Sequence, residues 1–406
     1  MAAIAAGRIL RRSGGGRVVA LDSARTLGAK VLVSGGGRCN VTHDHVDERA
    51  YAGGSKNTIR TVLRRFGVAD TVAFFRDLGV ELTREPTGKL FPTTDTARTI
   101  LDALLSAARD AGVELRHPAL VASVELVADR GDSPTFALHT DQGTLTADRV
   151  ILATGGRSLP KTGSDGHGYA IARALGHTTT PQILPTLVPL TLDAACPLRA
   201  LSGLTLPVRI ELHSGTSRRV VSFSDSTLCT HFGLSGPAIM DISRHYLLER
   251  AADPGAHLVA NFLPDADREA LEHELVGLGP RRIAAWLRDK LPERLADVLC
   301  DHAGIGRNTT GATLRKDARR RLIDAVFRFH LPVTGSRGFT HAEVTAGGVM
   351  LDEIDPATMA SRRCHGLFFC GEILDVDGRI GGFNFQWAWA TGHLAGLGAA
   401  RSLAAD

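Results

Sequence analysis

The stretch LFFCGEILD occupies residues 367–375 and is followed by GGFN at residues 381–384. The apolar run 367–369 predicts a buried strand, and Gly371-Glu372 places bare backbone and one carboxylate at its carboxyl end. Open α/β sheets bind their ligands at this edge. The pair Gly381-Gly382 opens a helix whose first N–H groups point toward the same region. The segment therefore predicts half of a ligand site on a parallel sheet.

The composition narrows the class of protein. The chain has 406 residues, of which 44% are hydrophobic and 22% charged, and a formal net charge of +4. These values are typical of a globular protein with two or three domains. The small, evenly spread charge argues against nucleic acid as the main partner, and the basic cluster at residues 315–321 is predicted to be a solvated helix face.

The cysteines and the apolar runs exclude further classes. Six cysteines are present without a CxxC pair, so we predict neither a metal site nor a disulfide framework. No apolar run has the length of a membrane span, and no leader pattern is evident at the N-terminus. We therefore expect a cytoplasmic protein.

Residues 1–180 alternate helix-like and strand-like stretches, as a nucleotide-binding α/β domain does. Residues 1–10 predict a helix of small residues, and residues 17–21 predict a strand that ends at Asp22. In dinucleotide-binding units an acid at the end of the second strand accepts hydrogen bonds from ribose hydroxyls. Asp22 is the candidate for that role, and a helix or turn cap is the alternative.

Two further segments are suited to ligand binding. The loop SGGGRCN, residues 34–40, follows Lys30 and the apolar residues 31–33, which we predict to form a strand. Its three glycines expose backbone N–H groups that can wrap an anionic or polar ligand, although a flexible linker is the alternative. Residues 149–152 predict another strand, which leads into Ala153-Thr154-Gly155-Gly156 and so places a hydroxyl and bare backbone at the sheet edge.

The middle of the chain changes character, because prolines separate short alternating strands after residue 184 and helical periodicity dominates from residue 264. We predict an α/β fold with a Rossmann-like domain, an inserted β-rich domain and a helical segment. The predicted boundaries are 1–184 with 346–406 for the Rossmann-like domain, 185–263 with 331–345 for the β domain, and 264–330 for the helical subdomain.

Five segments occur in a fixed order: VLVSGGGRCNVTH, ILATGGRSLPKTGSDGHGYAIARALGH, THFGLSGPAIM, AEVTAGGV and GLFFCGEILDVDGRIGGFNFQWAWATG. Together they resemble the bacterial flavoproteins described as NAD(P)/FAD-dependent oxidoreductases, a family that includes a 3-dehydro-bile-acid reductase and an aminoacetone oxidase. The resemblance covers essentially the whole chain. It implies FAD as the cofactor, with NADPH or NADH as a possible electron donor.

Together with Asp22, the resemblance gives a set of expected FAD contacts. Val121 is implied through its backbone, near the adenine. The full set is Asp22, Ser34, Gly35, Gly36, Gly37, Arg38, Cys39, Asn40, Val121, Ala153, Thr154, Gly155, Gly156, Gly371, Glu372, Asp375, Gly381, Gly382, Phe383 and Asn384.

The chain departs from the family pattern at its start. Members of the family begin with an apolar strand and a glycine-rich turn, whereas this sequence opens directly on the predicted helix and has no GxGxxG. Relative to the family, the FAD-binding domain is N-terminally truncated. A start site placed too far downstream and a genuine truncation are both open explanations. Without the strand and the turn, both the sheet and cofactor binding are expected to be weaker.

The sequence predicts an FAD-dependent oxidoreductase that acts on a small conjugated or amine-type substrate. The electron partner is NAD(P)H or, in an oxidase variant, oxygen. A degenerate flavoprotein with a structural or redox-sensing role is the alternative. Bound flavin carries the redox chemistry, so few catalytic side chains are required. The candidates are Cys39, His231 and Arg38. The alternative for Cys39 is packing and that for His231 is stabilisation of a turn. For Arg38 it is ion pairing with Asp44 or Asp47.

Overall fold

The structure, a computed structural model, describes residues 1–130 and 133–404. It divides into two compact units, Met1–Pro185 with Glu343–Asp406, and Thr186–Ala342. The elements up to the end of the first segment are α1 (Ala2–Arg12), β1 (Val18–Leu21), α2 (Ala29–Val33), β2 (Thr42–His43), β3 (Tyr51–Gly53), α3 (Lys56–Arg65), α4 (Val68–Asp77), β4 (Leu82–Arg84), β5 (Lys89–Pro92), α5 (Ala97–Asp110), β6 (Val113–Arg116), β7 (Val121–Arg130), β8 (Ser133–Thr140), β9 (Gly143–Ala147), β10 (Val150–Leu152), α6 (His167–Ala174) and β11 (Leu184–Thr186).

The second unit combines strands and helices. Its elements are β12 (Leu190–Leu192), β13 (Thr205–His213), β14 (Arg219–Thr230), β15 (Gly233–Ser235), α7 (Pro237–Ala252), β16 (His257–Asn261), α8 (Arg268–Val276), α9 (Ile283–Arg288), α10 (Glu293–His302), α11 (Lys316–Phe327), β17 (Phe329–Leu331) and β18 (Val333–Ser336). The chain then returns to the first unit through β19 (Val344–Ala346), β20 (Leu367–Phe369), β21 (Val376–Gly378) and α12 (Phe383–Ala404).

Parallel strand pairs carry the predicted ligand edge of the first unit. Strand β1 pairs with β6, and β10 pairs with β20 with Leu152 opposite Phe369. The side chains of β20 are buried, as the apolar sequence predicted. Because the pairing is parallel, the segments that follow β10 and β20 leave the sheet at the same edge.

Helices α1 and α12 pack closely because their contact consists of small residues. A Cβ at Gly396 would lie 2.2 Å from the Ala2 carbonyl oxygen, so only glycine permits this approach. Trp387 and Trp389, both on α12, are buried. The Trp389 Nε1–H donates to the Val41 carbonyl oxygen at 2.9 Å, which fixes the helix against the end of the glycine loop.

One predicted strand is wrong. Residues 29–33 form the short helix α2, which begins after Gly28 in the left-handed region and ends at the glycine loop. The apolar run is only three residues long, and such a run fits a buried strand or one turn of helix equally well. The difference matters because it moves Lys30 from a strand to a helix.

The second unit has one antiparallel sheet of seven strands in the order β17-β16-β13-β14-β15-β12-β18. The short strands expected after residue 184 include β13 and β14, which pair along most of their length. One hydrophobic core contains residues of both the sheet and helices α7–α11. The finer division of this unit into a β domain and a helical subdomain stays a prediction.

None of the helices in the described ranges combines the length and the apolar character that a membrane crossing requires.

Candidate functional site

Glu372 is held by three donors where β20 ends. Lys30 Nζ lies 2.5 Å from Glu372 Oε2, while Ser158 Oγ and the Thr345 N–H donate to Oε1 at 2.8 and 2.9 Å. Lys30 Nζ also contacts Ser158 Oγ at 2.6 Å. The Lys30 and Glu372 side chains are 29% and 17% exposed, so the pair is largely shielded from water. This Glu372 cluster joins α2, the loop after β10, and β19 to the carboxyl end of β20.

The segment 153–156 leaves β10 beside this cluster. Ala153 and Thr154 are exposed although the strand before them is largely buried. A Cβ at Gly156 would lie 2.4 Å from Thr345 Oγ1 and 2.8 Å from Glu372 Oε1, so only glycine fits there. The sheet edge therefore presents two exposed residues, Ala153 and Thr154, next to a tightly packed Gly156.

The glycine loop adopts a conformation that requires its glycines. Gly35, Gly36 and Gly37 have φ values of 56°, 69° and 88°, a region that side chains disfavour. Gly35 and Gly36 are exposed, and no atom lies within 4 Å of the Cβ position at Gly36. Ser34 Oγ donates to the Val31 carbonyl oxygen at 2.7 Å and anchors the loop to α2. The loop thus offers open backbone in a fixed shape.

Arg38 is engaged by carboxylates, although not by those expected. It lies 2.8 Å from Glu85 and 3.3 Å from Asp95, and its guanidinium covers the Phe91 ring at 4.1 Å. The predicted alternative of pairing with Asp44 or Asp47 is wrong, because those two acids pair with Arg84 and Arg49. Arg38 therefore braces the loop.

Cys39 is fully buried within the same loop. Burial raises the pKa of its thiol to about 11, although the hydrogen bond with Ser34 acts in the opposite direction. The thiol form is therefore strongly favoured at neutral pH.

We expect Cys39 to resist alkylation in the native protein. A pKa near 11 instead of 9 reduces the thiolate fraction about a hundredfold, and burial blocks access as well. Peptide mapping after iodoacetamide treatment at pH 8 should show slow native labelling and fast labelling in urea. Fast native labelling would show that this thiol is exposed and ionised.

The segment 381–384 shapes the start of α12. A Cβ at Gly382, where φ is 93°, would lie 2.6 Å from the Thr42 carbonyl carbon and 2.8 Å from Asn40 Oδ1. Phe383 is buried and stacks on the His43 ring at 4.9 Å. Asn384 Oδ1 accepts from the Gly378 N–H at 2.8 Å, and its Nδ2 donates to the Gly378 carbonyl oxygen at 3.0 Å.

Several buried polar atoms at these motifs have no hydrogen-bond partner among the described residues: Asn40 Oδ1, Ser164 Oγ and Tyr169 OH. A Cβ at Gly155 would lie 2.7 Å from Ser164 Oγ. Burial raises the pKa of Tyr169, and the negative charges of Glu372 and Asp375 raise it further. Because buried polar groups are normally paired, these atoms point to a polar ligand.

The polar groups of these motifs therefore fit the FAD that the resemblance implies. The exposed residues at 35–36 and 153–154, the N-terminus of α12 and the unpaired atoms all belong to the same unit. Glycine-rich backbone and helix N–H groups suit a pyrophosphate, and hydroxyl and amide side chains suit the ribityl and ring edges.

The remaining predicted residues are placed as follows. Asp22 Oδ1 accepts from the Ala24 N–H at 2.8 Å, which is the turn-capping role given as its alternative. Val121 begins β7. The Gly371 N–H donates to Thr391 Oγ1 at 2.9 Å, and the Asp375 carbonyl oxygen accepts from the Gly54 N–H at 2.8 Å.

His231 belongs to the second unit. Its ring is exposed and lies edge-on to Phe232, with ring centroids 5.1 Å apart. Its carbonyl oxygen accepts from Arg199 Nε at 2.8 Å, so its backbone stabilises the turn.

Sequence reasoning missed Lys30, Ser158, Ser164, Thr345 and Tyr169. Ser158 comes two residues after Gly156, and this proximity was a usable signal. Lys30 and Glu372 are 342 positions apart, and no local pattern links them.

The chain matches the sequence profile of a family described as HI0933-like protein Rossmann domain over residues 1–398. It is 34% identical over 405 residues to the 3-dehydro-bile acid delta(4,6)-reductase of Clostridium scindens, covering 98% of this chain and 96% of that protein. It is 33% identical over 383 residues to the ribosomal RNA dihydrouridine synthase of Escherichia coli, with coverages of 93% and 90%.

Among solved structures, the FrdA protein of Escherichia coli quinol fumarate reductase is similar in fold, with a TM-score of 0.50 at 15% identity. That likeness covers 99% of this chain and 68% of the FrdA chain. These comparisons confirm the predicted α/β fold class and the resemblance to flavoproteins. The chain therefore belongs to the HI0933-like family of FAD-dependent Rossmann oxidoreductases.

Proposed function

We propose that this protein uses FAD to reduce a carbon–carbon double bond conjugated with a carbonyl group, with NAD(P)H as the electron donor. The observation that supports this most strongly is the edge formed by 153–156 and Glu372. Ala153 and Thr154 are exposed there, and the buried Ser164 Oγ and Tyr169 OH have no hydrogen-bond partner among the described residues. The names of both curated relatives describe the saturation of such a bond, in a bile acid and in a uridine.

The reaction balances with one donor molecule and one proton. NAD(P)H and a proton are consumed, the β-carbon of the substrate gains a hydride, the α-carbon gains a proton, and NAD(P)⁺ is released. Bound FAD supplies the hydride transfers between donor and substrate. The chain binds and orients: the glycine loop and the α12 N-terminus provide N–H donors, and the Glu372 cluster fixes the edge between them.

We propose the small conjugated carbonyl compound as the first substrate class. A steroid-like or other cyclic enone meets the chemical requirement, and the relative that carries out this reaction on a bile acid aligns with 98% of this chain. An amine-type substrate belongs to the same flavin chemistry, and oxygen as electron acceptor is distinguished by the assay below.

RNA is the second candidate substrate. The relative from Escherichia coli is named for ribosomal RNA, and the second unit exposes several cations on or near helix α11 and the loop before it for which the described residues provide no ion-pair partner: Arg307, Lys316, Arg320 and Arg328. Exposed cations of this kind can contact phosphates. Other members of the predicted basic face are paired, including Arg319 with Glu272 and Arg321 with Asp317.

Anaerobic assays with the FAD-loaded protein separate these alternatives. NADPH or NADH consumption should accelerate with a conjugated 3-keto steroid, and mass spectrometry should show a gain of two hydrogens in the product. If only a ribosomal RNA transcript gains two hydrogens per modified uridine, the second candidate holds. Peroxide formation in air without any gain of hydrogen would indicate an oxidase.

A further inference from the structure

A cavity of about 360 Å³ lies in the second unit at one end of its sheet. Helix α7 provides Tyr246 and Arg250, β16 begins with His257, and β17 contributes His330. The remaining lining is backbone and small apolar side chains. Its polar side chains are therefore hydrogen-bond donors or groups that become cationic at low pH.

The histidines belong to a row of three stacked rings. His213 lies directly opposite His257 across β13 and β16, with ring centroids 5.6 Å apart and planes 19° apart. His257 and His330 are also 5.6 Å apart, at 28°. No three metal-ligating side chains in the described ranges converge on a point suited to a metal ion. The row is thus a stack of imidazoles and does not form a metal centre.

Hydrogen bonds orient two of the three rings. His213 Nδ1 lies 3.1 Å from the Ser217 carbonyl oxygen, and its Nε2 lies 3.0 Å from Glu211. His257 Nδ1 lies 3.1 Å from the Gly255 carbonyl oxygen.

Side chains of opposite charge lie beside the cavity. Arg250 is positive and donates to the Ala256 carbonyl oxygen at 3.2 Å. Asp253 is negative and accepts from the N–H groups of Gly215 and Gly255 at 2.6 and 2.9 Å.

On the β13 side, Glu211 lies 3.0 Å from His213 Nε2 and 3.4 Å from Arg219. Protonation of His330 therefore gives the cavity an excess of positive charge.

His330, at the end of the row, faces the cavity. His330 is exposed, and its only contact with another charged or titratable group given by the described residues is the His257 ring. Burial of part of the ring lowers the pKa of His330, and the charge of His257 lowers it further. An anion beside the His330 ring would reverse this effect, because it stabilises the protonated form of that ring.

We propose that this cavity binds the phosphate or carboxylate group of a small molecule, held by Arg250, His257, His330 and the Tyr246 hydroxyl. Arg250 supplies a planar fork that suits oxyanions. The buried Tyr246 phenol supplies a neutral donor, and burial raises its pKa. The site lies within one unit and is independent of the proposed redox reaction.

Titration with sulfate tests the site, because sulfate stays a dianion over the pH range used. We expect saturable binding by isothermal titration calorimetry, tightening several-fold between pH 8 and pH 6 and accompanied by proton uptake. Acetate in a parallel titration reports whether carboxylates bind, and inorganic phosphate reports the phosphate case.

Two variants and one control decide the outcome. Arg250→Gln and His330→Gln alter exposed side chains, so folding is expected to persist, and each should weaken sulfate binding about tenfold. His273→Gln, an exposed histidine on α8, should bind as the unaltered protein does. Absence of saturable binding at pH 6, or equal binding by all three variants, would overturn the proposal.

Discussion

The Glu372→Ala variant is expected to lose about 2 kcal/mol of unfolding free energy and at least tenfold in FAD affinity. The substitution removes the acceptor shared by Lys30, Ser158 and the Thr345 N–H, and it leaves the partly buried ammonium of Lys30 without its counter-charge. Urea unfolding and fluorescence titration with FAD measure the two effects.

Matched variants separate charge from shape. Glu372→Gln keeps an oxygen that accepts from Ser158 and the Thr345 N–H, but it lacks the charge beside Lys30. Adding Lys30→Met should restore part of the stability if the ion pair is the cause. Glu114→Ala breaks exposed surface pairs with Arg17 and Arg116 and should cost much less stability than Glu372→Ala. Equal losses in the Glu114 and Glu372 variants would contradict the account.

A buried cluster around Glu353 gives the second large effect. Glu353 is 6% exposed and accepts from His177 Nδ1 at 2.9 Å, from the N–H and hydroxyl of Thr178 at 3.0 and 2.8 Å, and from Arg363 at 3.2 Å. Glu353→Ala leaves these donors without an acceptor in a buried site. We expect a loss of roughly 3 to 5 kcal/mol, measured by urea unfolding. Asp352→Ala, at an exposed neighbour, should be nearly neutral.

The same cluster predicts loss of stability in acid. Burial lowers the pKa of His177, so its contribution is complete above the ordinary value of 6.5 and declines as the pH falls below it. For Glu353, burial alone would raise the pKa, but the bonds from Thr178 and His177 lower it below 4.5. Its contribution is lost at still lower pH. Unfolding at pH 7 and pH 5 measures the first step, and Glu353→Ala should alter it.

The cluster resembles a Ser–His–acid arrangement but lacks a reactive hydroxyl. Ser361 Oγ lies 2.7 Å from His177 Nε2 and accepts from the N–H groups of Arg363 and Cys364 at 2.9 and 2.7 Å. Both lone pairs are thus engaged, so the oxygen has none for attack. The arrangement stabilises a turn in the first unit.

Local patterns predicted the elements that carry the site. The strands β10 and β20 and the open residues after β10 follow from short apolar runs that end in glycines. The same rule failed at residues 30–33, where a three-residue run lies between Gly28 and the glycine loop and forms one turn of helix. A short apolar run has no periodicity that distinguishes these cases.

Contacts between residues far apart in the chain could not be predicted from the sequence. Lys30 meets Glu372, and Thr42 and Thr71 both donate to Gln386 Oε1 at 2.7 and 2.9 Å, yet these partners are hundreds of residues apart. Only the folded chain brings them together. For the same reason, the partners of Arg38 were predicted among its sequence neighbours and found elsewhere.

The central claim is that the glycine loop, the 153–156 edge and the start of α12 bind FAD. The most direct test is the visible spectrum of the purified protein after incubation with FAD and removal of excess. We predict an absorbance near 450 nm that corresponds to one flavin per chain, is bleached by NADPH or NADH, and is reduced by Glu372→Ala. A folded protein that retains no flavin at micromolar FAD would contradict the account.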